Sequence, residues 1–523
     1  MKKIRIKNLR AIKDTGNINI KPLTILLGKN SVGKSTLLRT FPLIKQSLIL
    51  KRSEPILWYS PQLVDFGNFK EAISNGNTNE TVDFEFTFNV SNYDIRRSLF
   101  FSPVSRRINF KIDEEDREDN ELHLKFSLND KEISKVYIEL YDFKISYKCN
   151  NSKISEMSIN DYQIEDAQFY NLKNTFLNEE LIPQIYFSKE SSKYKAENSM
   201  KNKIYNKIEK EMTKIKNGKI SDKTIESIID KFQFTSKTKF TENFEQLISN
   251  SKIMKNKYNN LEESVRNEFI NRIYSYNAYN YLNAFLYLVN NYLNDYFRNS
   301  QYIAPIRASA ERYYRIQGLS IDEIAPQGEN IPMILRNMTR QEQENWESWT
   351  NENFGVQFKV TEKEANISIN LVKGDKEINL ADTGFGYSQL LPLLVYCWRL
   401  NHKKKNHIRR SKFSQTLLIE QPELHLHPAL QSQLLEVFVE IIEVMRDRYN
   451  FAIILETHSE TIINYLGYLI ANKEHSIKSS DVNILLFDES RNETIIKEVT
   501  YSNEGFLENW PFDFFMPVGR AEL

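Results

Sequence analysis

The fold of this chain is decided by one stretch, Gly28-Lys29-Asn30-Ser31-Val32-Gly33-Lys34-Ser35-Thr36. The stretch fits the phosphate-loop pattern of Gly, four residues and Gly-Lys-Ser; an apolar strand at residues 23–27 precedes it and a helix starts at residues 36–39. In this setting, backbone N–H groups of the loop and the helix N-terminus surround phosphate groups. We therefore predict that the stretch binds a nucleoside triphosphate, that Lys34 reaches the β- and γ-phosphates, and that the Ser35 hydroxyl ligates Mg²⁺.

The composition of the 523-residue chain is that of a soluble globular protein, with 41% hydrophobic and 27% charged residues. The 70 Lys and Arg residues nearly balance the 69 Asp and Glu residues, so contact with nucleic acid would need a local basic patch. The two cysteines, Cys149 and Cys397, exclude a disulfide framework and favour the cytoplasm. Because no apolar run approaches the length of a membrane span, and residues 3–7 alternate as in a strand, we expect no membrane segment or signal peptide.

The sequence pattern changes along the chain and predicts four segments. Residues 1–75 should form a hairpin, the phosphate-loop strand and the first helix. Residues 76–180 alternate apolar and polar positions, as at residues 82–88, and predict a β-rich arm. Residues 181–299 are nearly free of Gly and Pro over most of their length and predict a helical insert, and residues 300–523 return to a mixed pattern. The predicted fold class is therefore α/β.

The sequence does not decide the function of three polar features before residue 300. Arg10, near the end of the first hairpin strand, is either a nucleotide contact or a solvated surface residue. Gln62, in a loop, is a candidate for coupling the nucleotide to the rest of the protein. A run of lysines is either a phosphate-binding face or a solvated helix face, and Glu209 and Glu211 dilute its charge. These lysines are Lys201, Lys203, Lys207, Lys210, Lys214, Lys216 and Lys219.

An acid at the end of an apolar strand predicts the second half of the nucleotide site. Residues 416–419 are apolar apart from Thr416, and Glu420 follows them, with Gln421 and Glu423 shortly after. A strand holds such a carboxylate rigidly, so that it can coordinate Mg²⁺ opposite the phosphate loop. We therefore predict that Glu420 and Ser35 are the protein ligands of the metal.

A glycine-bearing turn at residues 382–389 is a further phosphate-binding candidate. The turn carries Gly384, Gly386 and Ser388 and runs into an apolar helix predicted from residue 390. A helix N-terminus with glycines and a serine can hold phosphate, although this pattern alone is that of an ordinary helix start.

Histidines follow two of the apolar strands. His458 comes directly after a buried strand, where it can hydrogen-bond a γ-phosphate or its attacking water, and Ser459 is placed to cap the next helix. His425 and His427 have a spacing that suggests zinc. However, no third ligand accompanies them, and His427 can cap the helix that follows.

Four motifs follow one another along the chain: the phosphate loop, the glycine-bearing turn, the acid at the strand end and His458. Their order resembles that of the ABC-type ATPases, and more narrowly that of the SMC/RecF/OLD-like AAA ATPases of bacteria. The resemblance implies an ABC-type head of mixed β-sheets with flanking helices, formed from both chain ends, with ATP and Mg²⁺ as its ligands. It covers about residues 1–75 and 300–523 and hardly touches the middle of the chain. The stretches that carry it most closely are residues 302–307, 419–428, 456–460 and 509–515.

The resemblance also implies partners. It predicts a homodimer or higher homo-oligomer in which Gly384, Gly386 and Ser388 of one subunit close on ATP held by another. Within the group, the chain is most similar to ATPase subunits of bacterial antiphage systems, first those of Septu and its retron-linked relatives, then those of PARIS. These imply a separate nuclease subunit, HNH-type for Septu, with possible contact to DNA, RNA or a retron reverse transcriptase and its ncDNA. The segment after His458 is expected to be too short for the Toprim nuclease domain of OLD proteins. The alternative function is a RecF- or SMC-like DNA-maintenance ATPase that acts directly on DNA.

One departure from the family affects the expected rate of hydrolysis. In most ABC-type heads a catalytic Glu follows the Mg²⁺-binding acid directly, and here that position is Gln421. A glutamine can orient a water molecule but cannot accept its proton. The resemblance therefore implies a catalytic set of Glu420, Gln421, Glu423 and His458, in which Glu423 or His458 compensates or hydrolysis is slow.

Overall fold

Strands alternate with helices in the second half of the chain, whereas strands dominate the segment that follows the first helix. The computed structural model describes residues 1–92, 95, 119–160, 162–164, 170–172, 180–187, 205–217, 220–233, 235–279, 281–318, 323–402, 414–446, 450–472, 475–490, 493–511 and 514. Of the residues discussed above, Lys201, Lys203, Lys219 and part of the stretch 509–515 lie outside this description.

The described residues form 22 β-strands. They are β1 (Lys3–Leu9), β2 (Ile12–Asp14), β3 (Ile18–Asn19), β4 (Leu23–Gly28), β5 (Val82–Ser91), β6 (Asp119–Leu128), β7 (Ile133–Leu140), β8 (Phe143–Asn150), β9 (Lys153–Ile159), β10 (Tyr162–Gln163), β11 (Tyr170–Leu172), β12 (Ile185–Phe187), β13 (Ser300–Ile303), β14 (Tyr314–Arg315), β15 (Gln357–Lys363), β16 (Asn366–Lys373), β17 (Lys376–Asn379), β18 (Ser414–Glu420), β19 (Asn450–Glu456), β20 (Val482–Ser490), β21 (Glu493–Tyr501) and β22 (Leu507–Glu508).

The α-helices are labelled in the same way. They are α1 (Lys34–Ile49), α2 (Phe69–Ala72), α3 (Asp222–Ile229), α4 (Lys237–Ser249), α5 (Lys252–Asn259), α6 (Glu263–Tyr279), α7 (Leu282–Arg298), α8 (Ile331–Arg336), α9 (Arg340–Phe354), α10 (Phe385–His402), α11 (Pro428–Arg446) and α12 (Glu460–Asn472). Residues 205–212 are also helical. Within the described residues, none of the helices combines the length and the apolar content that crossing a membrane requires.

The phosphate loop belongs to a unit formed by residues 10–46, 58–67 and 299–523. Among the described residues of this unit, seven strands form a sheet in the order β13-β18-β19-β4-β20-β21-β22. The first five of these strands are parallel to one another. Their carboxyl ends therefore meet at one edge of the sheet, where the phosphate loop, Glu420 and Glu456 all lie.

The central strands of this sheet are buried along almost their whole length, because helices cover both faces of a parallel sheet. Every residue of β4 is buried, and so is every residue of β18 and β19 after the first. Apolar side chains of α10, α11 and α12 pack with these strands in one core. The α/β class with mixed sheets and flanking helices, predicted from the sequence, is confirmed.

The other unit consists of residues 1–9, 47–57 and 68–298. Its strands lie in the order β12-β11-β9-β8-β7-β6-β5-β1, with β10 beside β9, and neighbouring strands are antiparallel. Buried positions alternate with more exposed ones along β7 and β8, as in a sheet with one covered face. Helices α6 and α7 cover that face; the Phe143 and Tyr274 rings stack with centroids 4.3 Å apart, and the Phe86 and Phe297 rings lie 5.3 Å apart.

The lysine run belongs to this unit, and two of its members form ion pairs. The Lys214 ammonium lies 2.5 Å from the Glu211 carboxylate, and Lys216 pairs with Asp222. Glu211 also pairs with Arg272 at 3.2 Å. These contacts favour the interpretation of the run as a solvated helix face.

Candidate functional site

The phosphate loop turns sharply between β4 and α1, and two glycines make this turn possible. Gly28 has φ +144°, and a Cβ atom there would lie 2.2 Å from the carbonyl oxygen of Phe487. Gly33 has φ +102°, and a Cβ atom there would lie 2.9 Å from the side chain of Ile12. The Thr494 hydroxyl donates a hydrogen bond to the Val32 carbonyl at 3.0 Å and fixes the loop from β21. The loop therefore has the close backbone approaches that a phosphate cradle needs.

Lys34 is the first residue of α1, and its side chain folds back over the loop. Its ammonium donates to the carbonyl oxygens of Gly28 at 2.9 Å and of Lys29 at 2.5 Å. Lys34 is buried, and desolvation lowers the pKa of its ammonium. By contrast, Lys29, Asn30 and Ser31 are exposed. The arrangement places one buried cation against a solvent-accessible loop.

Two carboxylates lie side by side at the edge of the sheet. Glu420 and Glu456 are paired in register at the ends of the parallel strands β18 and β19. Both residues are buried, with 2% and 3% of their surface exposed. Burial, together with the Glu420 carboxylate, raises the pKa of Glu456 to about 7. The sequence analysis assigned a role to Glu420 but none to Glu456.

The two carboxylates have different partners. The Arg39 guanidinium binds Glu420 through two hydrogen bonds of 2.6 Å, and the Tyr302 hydroxyl donates a third at 2.8 Å. Glu456 accepts a hydrogen bond of 2.9 Å from the Ser35 hydroxyl. The hydrogen bond to Glu420 also raises the pKa of Arg39. The acid that touches the predicted metal ligand Ser35 is therefore Glu456.

Arg307 connects the strand end to the glycine-bearing turn. It is 2% exposed, and burial lowers the pKa of its guanidinium to about 10. The guanidinium donates to the carbonyl oxygens of Glu420 at 3.0 Å and Gln389 at 3.4 Å. The Gln389 side-chain amide makes two hydrogen bonds to the backbone of Arg307. Its oxygen accepts the Arg307 N–H at 3.1 Å, and its nitrogen donates to the Arg307 carbonyl at 2.9 Å. The sequence singled out residues 302–307 only through the family resemblance, and the structure shows that Arg307 is a buried, hydrogen-bonded residue.

The other predicted catalytic residues lie on the two loops that follow β18 and β19. Gln421 has φ +44°, and its backbone N–H donates to the Glu456 carbonyl at 2.8 Å. The Glu423 carboxylate accepts the backbone N–H of His458 at 2.7 Å. Burial raises the pKa of Glu423, while desolvation and the Lys34 ammonium lower the pKa of His458. These contacts hold the two loops together beside the phosphate loop.

The glycine-bearing turn opens a longer helix than the sequence predicts. Helix α10 begins at Phe385, so that Gly386 and Ser388 lie in its first turn and Pro392 lies inside the helix. Gly384 is exposed with φ +78°, and Phe385 is 60% exposed. Ser388 is buried, and its hydroxyl donates to the Phe385 carbonyl at 2.8 Å. The accessible part of the turn is therefore its backbone and the Phe385 ring, not the serine hydroxyl.

Contacts within the protein involve three of the polar residues that the sequence singled out. Arg10 donates to the Asp65 carbonyl at 2.8 Å and covers the Phe66 ring at 4.3 Å. The His427 ring accepts the N–H of Ala429 at 3.3 Å, and Ser459 accepts the N–H of Ile462 at 3.1 Å. Both therefore cap the helices that follow, as the sequence predicts. Gln62 is exposed in its loop.

The residues at this edge fit an Mg²⁺–nucleotide complex. The loop has the two glycines of the phosphate-loop pattern at positions with no room for a side chain, and Lys34 supplies a buried positive charge. Among the described residues, the Oε2 atom of Glu456 is buried without a hydrogen-bond partner, and Ser35 lies against the same carboxylate. A hydroxyl and a carboxylate beside a triphosphate are the oxygen ligands that Mg²⁺ prefers.

A phosphate loop on a buried parallel strand, with acids at the ends of neighbouring strands, defines a P-loop nucleotide-binding protein. The chain belongs to the family described as AAA ATPase domain, whose model matches residues 1–463. The AAA ATPase class predicted from the sequence is confirmed at this level. No curated protein matches the chain.

Two similar solved structures are SMC heads. One is the SMC head bound to the C-terminal winged-helix domain of ScpA, with 10% identity over 95% of this chain and 97% of that chain and a TM-score of 0.35. The other is the SMC head domain from Thermotoga maritima, with 9% identity over 95% of this chain and 97% of that chain and a TM-score of 0.32.

Proposed function

We propose that this protein is an ATP-switched subunit whose ATP-bound heads pair and thereby control a separate effector. The observation that carries the proposal is the convergence of Lys34, Ser35 and two strand-end acids at one sheet edge. Hydrolysis would follow if a water molecule is activated in that site. Pairing is supported by the exposed Gly384–Phe385 turn, which presents the N-terminus of α10 and an apolar ring outward.

The effector is proposed to be a nuclease of an antiphage complex. Residues 419–428 and 456–460 resemble those of the SMC/RecF/OLD-like AAA ATPases. The support is that, within this group, the chain resembles the antiphage ATPases, first PtuA of Septu and second AriA of PARIS. The test is co-purification with the products of neighbouring genes, followed by nuclease assays with and without ATP. Binding of an HNH subunit supports the Septu assignment. If the protein binds no product of a neighbouring gene but hydrolyses ATP in response to DNA, it is instead a DNA-maintenance ATPase.

Replacing Phe385 by Glu is expected to weaken ATP-dependent self-association. An aromatic anchor at the centre of an interface contributes about 2 kcal/mol or more, so the dimer dissociation constant should rise at least about 30-fold. Sedimentation velocity with ATP and Mg²⁺ measures this constant. The matched control is Tyr468→Glu, because Tyr468 is 55% exposed on α12 and should leave pairing unchanged. Equal pairing by both variants would remove the turn from the proposed interface.

Replacing Gln421 by Glu is expected to raise the kcat of ATP hydrolysis by about tenfold or more. A carboxylate can accept the proton of the attacking water, and general-base catalysis contributes about 10²–10⁴ in rate. Phosphate release under saturating ATP measures the effect, and Gln341→Glu, at an exposed position of α9, is the control. Rapid turnover by the wild-type protein that Gln421→Ala abolishes would contradict the expectation that glutamine at this position makes hydrolysis slow.

A further inference from the structure

We propose that Glu456, and not Glu420, is the carboxylate that binds the Mg²⁺ of ATP together with Ser35, while Glu420 positions Arg39. The inference rests on the proposed ATP-binding function and deepens it. It replaces the sequence-based assignment of Glu420 as the metal ligand with an acid on the neighbouring strand.

The two proposed oxygen ligands, on Ser35 and Glu456, lie close together. The Ser35 hydroxyl and the Glu456 carboxylate oxygen lie 2.9 Å apart. In an octahedral Mg²⁺ site with bonds of about 2.0–2.1 Å, adjacent ligands are about 2.8–3.0 Å apart. The two side chains are therefore already spaced as neighbouring ligands of one ion.

The second carboxylate oxygen of Glu456 can still accept a ligand. Its Oε2 atom is buried and, among the described residues, has no hydrogen-bond partner. A buried carboxylate oxygen without a partner is costly, because it has lost its hydration and gained nothing in return. A cation beside Ser35 would remove this cost.

The charge of the Glu420 carboxylate is already balanced by the Arg39 guanidinium. One of its oxygens accepts from both Arg39 and Tyr302, and the other accepts from Arg39. A bidentate guanidinium–carboxylate pair is the strongest common side-chain ion pair, and Glu420 is buried within it. Binding of Mg²⁺ by Glu420 would require this pair to break. Of the two carboxylates in register, one therefore has a fixed protein cation, and the other remains for the metal.

The test measures metal binding directly and uses Mn²⁺ as the probe. Wild-type protein, Glu456→Gln and Glu420→Gln are loaded with the non-hydrolysable analogue AMP-PNP, and bound Mn²⁺ is counted by electron paramagnetic resonance. Changes in the groups around a metal lower its affinity about 10–100-fold, so loss of a ligand should cost at least about tenfold. We expect this loss in Glu456→Gln, and a loss at least about threefold smaller in Glu420→Gln.

The opposite result, with Mn²⁺ affinity lost in Glu420→Gln and kept in Glu456→Gln, would overturn the assignment. Because Glu420→Gln leaves Arg39 without its charge partner and can unfold the protein, a second measurement is independent of it. Ser35→Ala, Glu456→Gln and the double variant form a cycle, in which ligands of one ion give non-additive losses. Additive losses reject the shared site. Nucleotide binding is also measured with Mg²⁺ and again in EDTA, which separates the two hypotheses. A wild-type protein that binds no nucleotide under either condition refutes the proposed function itself, and this inference with it.

Discussion

Replacing Lys34 by Ala is expected to lower the affinity for ATP by about 10- to 150-fold. A hydrogen bond to a charged group contributes about 1.5–3 kcal/mol, and Lys34 is the buried cation of the phosphate loop. Its ammonium now bonds two loop carbonyls, at 2.9 and 2.5 Å, so it is already held where the phosphates are expected to lie. Titration calorimetry with ATP and Mg²⁺ measures the loss.

The matched control for this change lies five residues earlier in the same loop. The Lys29 side chain is 78% exposed, and its ammonium lies 3.7 Å from the carboxylate of Asp488. An exposed pair at this distance contributes about 0–1 kcal/mol. Lys29→Ala should therefore change ATP affinity by less than about fivefold. If the two alanine variants lose affinity equally, the loop binds through its overall charge and not through Lys34.

Replacing Gly28 by Ala should destabilise the unit that carries the phosphate loop by about 2–6 kcal/mol. A side chain at φ +144° is strained, and its Cβ atom would meet the Phe487 carbonyl oxygen at 2.2 Å. Strained backbone and overpacking each cost about 1–3 kcal/mol. Since all five tryptophans belong to this unit, their fluorescence during urea unfolding reports its stability.

Gly374→Ala separates the two contributions. Gly374 also has positive φ, +60°, but a Cβ atom there would meet nothing within 4 Å. The left-handed conformation alone costs about 1–2 kcal/mol for a non-glycine residue. The difference between the two variants is therefore the cost of the contact with Phe487 together with the greater backbone strain at φ +144° than at φ +60°. Equal losses would mean that β20 moves aside without penalty.

Local sequence patterns predicted the parts of the site that are continuous in the chain. The phosphate loop, its strand and its helix follow one another within residues 23–49, so their signals can be recognised together. The strand that ends at Glu420 was found from its apolar run, and Ser459 was found as a helix cap. In each case the deciding interactions span only a few residues.

The residues that the sequence analysis missed are brought together by strand pairing. Glu456 meets Ser35 across 421 positions of sequence, and Arg39 meets Glu420 across 381. Which acid faces the loop depends on the order of β4, β19 and β18 in the sheet, and no local pattern encodes that order. One signal was available: Glu456, like Glu420, directly follows a buried apolar strand.

The order of strands also determines when the nucleotide site can form during synthesis. Strand β4 lies between β19 and β20, and Gly28 pairs in register with Phe487. A ribosome adds about 5–20 residues per second. Strand β20, the later of the two strands that flank β4, is therefore synthesised about 20–90 s after the loop. Until then, the apolar strand 23–28 has open edges that favour aggregation. A partly synthesised chain therefore lacks the sheet that supports the loop. We expect nascent chains of this ATPase to bind chaperones before they can bind nucleotide.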